Sequence, residues 1–139
     1  MITIGLGISK SLAELKLHHL RKRFKRVFLG VGVTSNWDTE YSATIFNCKP
    51  NAVDVEAKDW NEEAILIDEC GKGFLVWDKN KEDSPPEYLG RSEVHRREGD
   101  IDDLFDKQVA RKLLNELKVT GLTAYNIPHR KGYVVQSYS

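Results

Sequence analysis

Between Ser9 and Phe28 the apolar residues Ala13, Leu17, Leu20, Phe24 and Val27/Phe28 recur at intervals of three and four. That period lays one apolar stripe along a helix, so the spacing predicts an amphipathic helix here. Ser11-Leu-Ala-Glu14 fits a capping box, with Ser9 as the alternative cap. The polar side is strongly basic: His18, Arg21, Lys22 and Lys25 form one flank, and Lys16, His19, Arg23 and Arg26 surround the rest. Ahead of the helix, Met1–Gly5 is a short apolar run, and Gly5 and Gly7 break it.

Past the helix the period falls to two. Arg26–Val33, Tyr41–Asn47, Ala52–Lys58 and Ala64–Asp68 alternate and read as strands. Gly71-Lys-Gly73 turns a hairpin into Phe74–Trp77, and Tyr88–His95 reads as an edge strand. The segment Asn80–Pro86 is the most loop-like in the chain. Asp100 caps a second helix running to about Lys118, with Asp102, Asp103 and Asp106 early and Arg111, Lys112 and Lys118 late, as the helix dipole favours. Leu122–Ile127 and Tyr133–Tyr138 form a closing hairpin around Pro128-His-Arg-Lys-Gly132. Hairpin connections outnumber crossovers, so the expected fold is α+β. It is a single domain over residues 1–139, with a mainly antiparallel sheet, a basic N-terminal helix, a second helix near 100–118 and a C-terminal β-hairpin.

A chain of 139 residues, 40% hydrophobic and 30% charged, suits one domain with a continuous core. The zero net charge argues against a wholly basic nucleic-acid protein, but the charge is unevenly spread. Residues 1–31 carry seven basic and one acidic residue (+6), residues 32–90 five and thirteen (−8), and residues 91–139 nine and seven (+2). The basic helix therefore meets either an anionic ligand or the acidic middle of this chain or of a second copy. Cys48 and Cys70 lie far apart, without metal-site spacing, and read as reduced thiols. No signal-peptide pattern or membrane-length apolar run is evident, so the expectation is a soluble, cytoplasmic protein without membrane contact.

Four features bear on chemistry. Gly5-Leu-Gly-Ile-Ser-Lys10-Ser11 is a glycine turn feeding a helix start, where free N–H groups and Lys10 suit a phosphate. It matches neither the P-loop nor the dinucleotide fingerprint. The basic face of His18, Arg21, Lys22, Lys25 and Arg26 can track phosphates, with aromatic residues available to stack bases. Two further clusters, His95-Arg96-Arg97 and His129-Arg130-Lys131, form a second cationic pocket if the sheet joins them. On the predicted strand, Glu56 and Lys58 share a face. This resembles the E-x-K half of the PD-(D/E)-x-K nucleases. The resemblance implies Mg²⁺ chemistry at Glu56 and Lys58, with Asp38 as the upstream acid and Glu14 supplied by the first helix. No metal constellation is evident: His18 and His19 diverge by roughly 100° on a helix. No cofactor is expected.

The expected function is a small non-enzymatic protein that captures a phosphate-bearing ligand, nucleic acid or nucleotide, through the basic helix and the Arg/His turns. The alternatives are a protein–protein adaptor or inhibitor acting as a homo-oligomer, and an Mg-dependent nuclease.

Overall fold

The computed structural model describes residues 1–36, 39–76 and 85–139 in full, and Trp77 by its backbone. Its strands are β1 (Ile2–Gly7), β2 (Val27–Thr34), β3 (Glu40–Ile45), β4 (Ala64–Glu69), β5 (Lys72–Trp77), β6 (Glu87–Arg97), β7 (Gly121–Tyr125) and β8 (Tyr133–Tyr138). They run in the order β1-β3-β2-β7-β8-β6-β5-β4, every pair antiparallel, and β4 pairs back onto β1 to close a barrel. This corrects the expected open α+β sheet. Closure rests on a short register, Ile2 opposite Ile67 and Thr3 opposite Leu66. Two backbone bonds extend it: Asp68 donates to the Met1 carbonyl at 2.8 Å, and the Met1 amine donates to the Asp68 carbonyl at 3.0 Å. β6 accordingly lies between β5 and β8 and is not an edge strand.

The two faces of the strands have opposite characters. Ile2, Ile4 and Leu6 on β1, Val27, Val31 and Val33 on β2, and Tyr41, Ala43 and Ile45 on β3 are all buried. Their register places them on one side of the sheet, the outside of the barrel. There they meet Ala13, Leu17 and Leu20 of α1 (Lys10–Arg21), and Ala110, Leu113 and Leu114 of α3 (Lys107–Leu117). The hydrophobic core thus lies between barrel wall and helices. Burying such an aliphatic side chain contributes roughly 1.5–3 kcal/mol. The alternate positions Thr3, Gly5, Gly30, Gly32, Ser42, Thr44, Thr123 and Gln136, all small or polar, face the lumen.

Three helical expectations are corrected. α1 starts at Lys10 under Ser9, whose Oγ accepts from Leu12 N–H at 3.4 Å, so the alternative cap is the one used. It ends at Arg21, and Val27 and Phe28 belong to β2. Ala52–Lys58 is no strand: Asp54–Asp59 is a short helix, α2. The second helix is broken into a 3₁₀ turn (Ile101–Phe105) capped by Asp100 and α3 capped by Asp106, whose carboxylate accepts from Gln108 N–H at 2.9 Å. The β4–β5 and β7–β8 hairpins form as expected. Cys48 and Cys70 are both free thiols. Among the described residues no helix is long and apolar enough to cross a membrane.

Candidate functional site

One end of the lumen is filled. The rings of Phe28, Phe46 and Tyr125 meet there, with centroids 5.6–6.3 Å apart, and the Arg26 guanidinium lies 5.3 Å above Phe46. Beside them the Thr3 and Thr44 hydroxyls bond at 3.2 Å. Asp68 accepts from Gln136 Nε2 at 2.6 Å and from the Tyr138 hydroxyl at 3.3 Å. Burial and the Asp68 charge push the Tyr138 phenol far up, so it stays a neutral donor.

The other end holds a cavity of about 770 Å³. Glycine and small polar residues make the room, since Gly5, Gly32, Ser42 and Thr123 stand where larger side chains would fill a small barrel. Leu66, Leu75 and Leu89 supply an apolar wall. The rim at Ser35, Asn36, Asn61 and Glu63 is exposed, so the cavity opens to solvent there. Its charged lining residues are Glu40, Glu62, Glu63 and Glu87, and no Lys or Arg stands among the described lining residues.

Glu40 and Glu62 converge over Gly5. A β-carbon on Gly5 would lie 2.6 Å from Glu40 Oε1 and 2.9 Å from Glu62 Oε2, so the missing side chain is what admits both carboxylates. Burial and the facing Glu40 push the Glu62 carboxyl up to about 7. Burial also raises Glu40, offset in part by the Gly7 N–H it accepts from and by Lys16. Lys16 itself sits 5.4 Å from the Trp60 ring and outside the lining. Ser42, only 2% exposed, stands opposite Gly5 in the β1–β3 register and lines the cavity. Its Oγ lies 2.9 Å from where a Gly30 β-carbon would stand and has no hydrogen-bond partner among the described residues.

The basic residues are distributed differently from the expectation. Lys10 donates to Asp102 at 2.9 Å, and Tyr41 donates to the same carboxylate at 2.8 Å. The Lys10 hydrogen bond holds Asp102 below the usual carboxylate range and raises Lys10. Arg21 donates to the Val27 carbonyl at 3.5 Å, and Arg26 covers Phe46. Arg23 donates to the Ala52 carbonyl and ion-pairs with the buried Glu56. Much of the basic face therefore meets this chain. His18, Lys22 and Lys25 are exposed.

At the far end of the same strands, Arg96, Arg130 and Lys131 line one small concavity of about 20 Å³. The two Arg/His turns thus do come together in part. Arg97 instead bonds Glu116 at 3.0 Å, and His95 Nε2 lies 3.5 Å from Glu93. His129 takes a left-handed backbone (φ 65°) in the β7–β8 turn.

The nuclease-like arrangement loses its basis. Glu56 and Lys58 lie on a helix, where positions two apart point in different directions, and Glu56 is buried against Arg23. Asp38 lies outside the described residues. Among the described residues no three His, Cys, Asp or Glu side chains gather to hold a metal ion.

Glu40, Glu62 and Ser42 were not singled out from sequence. Their signal was the recurrence of Gly, Ser and Thr on one face of β1, β2, β3 and β7, opposite an apolar face. Comparison with known proteins found no matching family model, no matching curated protein and no matching solved structure.

Proposed function

We propose that the protein is a small non-enzymatic binding protein that holds a small organic ligand inside its barrel. The observation that carries this reading is the cavity of about 770 Å³ with its glycine-thinned, mixed polar and apolar wall. That volume falls in the roughly 300–1,000 Å³ range of small-molecule sites, which combine an apolar lining with a few placed polar groups. A direct test uses Gly32, which lines the cavity and whose added β-carbon would meet nothing within 4 Å. Gly32→Leu should narrow the lumen, keep the fold and weaken uptake of small fluorescent ligands. Undiminished uptake by a folded Gly32→Leu would refute lumen binding.

A second reading keeps the phosphate-bearing ligand, nucleic acid or nucleotide. It is favoured by the convergence of Arg96, Arg130 and Lys131, with His18, Lys22 and Lys25 exposed on or beyond α1. Its test is retention of a single-stranded oligonucleotide at rising salt. Binding should fall steeply with salt and be lost in Arg96→Glu/Arg130→Glu, whereas binding equal to wild type would count against it.

A further inference from the structure

We infer that the lumen ligand is an organic cation, an amine whose ammonium group seats between Glu40 and Glu62. The inference rests on the lumen reading and adds the ligand's charge and its point of attachment. An ammonium has three N–H donors and no acceptor. The floor around Gly5 offers matching acceptors in two carboxylates, one from β3 and one from the residue two before β4. The lining carries four carboxylates and, among the described residues, no cation to neutralise them. An anion entering this cavity would meet like charge on every described charged lining side chain, and a neutral ligand would bring no charge to offset the pair.

A metal ion fits less well. Two carboxylates supply at most four of the six to eight oxygens that Ca²⁺ takes, and among the described residues no third carboxylate joins the pair closely enough to form a metal-binding group. The apolar wall of Leu66, Leu75 and Leu89 suits the hydrocarbon or aromatic body of an amine. Lys16 is the nearest built-in counter-charge. It acts on both carboxylates from the α1 side, without forming an ion pair with either.

The experiment is a fluorescence titration of the full chain with dansylcadaverine, a primary amine on an aromatic body. N-acetyl-dansylcadaverine serves as its uncharged counterpart and dansylglycine as an anion. The amine should bind at least tenfold more tightly than the acetylated dye, and dansylglycine should not bind. Glu62→Gln and Glu40→Gln, which keep side-chain shape, should each remove most of that preference, read as the ratio of the two dyes' affinities in the same variant. The wild-type comparison needs no variant, so a misfolded variant does not spare the proposal. Equal binding of amine and acetylated dye, both weakened by Gly32→Leu, would overturn the cation inference and leave the lumen reading standing. No binding of any dye up to millimolar concentration, or binding indifferent to Gly32→Leu, would overturn both.

Discussion

Two carboxylates carry the distinctive physics at the scale of single residues. Glu62 holds its proton more tightly in the folded chain, where it titrates near 7, than in the unfolded chain, near 4.5. The stability it contributes is therefore complete below about pH 4.5 and is lost as pH rises to about 7. Urea unfolding at pH 5 and pH 8 should show a lower stability at pH 8, and Glu62→Gln should flatten that difference. A wild type equally stable at both values would contradict the buried-pair geometry. Glu56 is the opposite case: buried, but matched by Arg23. Breaking a buried pair from one side costs about 3–5 kcal/mol, and the part-exposed Arg23 reduces that figure. Arg23→Ala should cost up to about 3 kcal/mol and more than Glu56→Gln, because it strands the carboxylate. Chemical denaturation of the two variants decides the order, and the reverse order would count against it.

The element scale shows where the sequence was legible. The α1 stripe, the β4–β5 hairpin and the β7–β8 hairpin were readable because each is specified by local period and turn residues. Ala52–Lys58 misled because Val53, Val55 and Ala57 alternate with charged residues, yet Val53 and Glu56 are the positions buried. Three residues apart is a helical spacing, and a buried Glu breaks the rule that charged positions face water. The capping box at Ser11 and Glu14 also gave way to Ser9, two residues earlier. Ser11→Ala should thus leave stability nearly unchanged, whereas Asp106→Ala at the start of α3 should cost about 1 kcal/mol. Thermal unfolding separates the two, and a Ser11→Ala loss as large as that of Asp106→Ala would restore the sequence-based cap.

Across the whole molecule, the barrel was hidden because closure depends on β1 meeting β4, some sixty residues away, through a register of two pairs. Nothing local in Met1–Gly5 names that partner. The lumen was hidden for the same reason. Gly5, Gly32 and Ser42 share one face of the neighbouring strands β1, β2 and β3, and the pairing of β1 with β4 brings Glu62 and Leu66 around the same space. In the basic stretch 10–26, which dominated the charge pattern, Lys10, Lys16, Arg23 and Arg26 engage Asp102, Trp60, Glu56 and Phe46 of the same chain. Exposed Leu12 and Leu15 on α1, with Ile8 just before it, are the apolar surface on which the homo-oligomer alternative would rest.

The central claim is that a small cation occupies the lumen against Glu40 and Glu62. The most direct measurement is a ¹⁵N–¹H correlation spectrum of the full chain titrated with dansylcadaverine. Saturable shifts concentrated at Gly5, Gly32, Ser42 and Thr123 are expected. Shifts confined to Ile8, Leu12 and Leu15 on α1, or no saturable shifts at all, would contradict it.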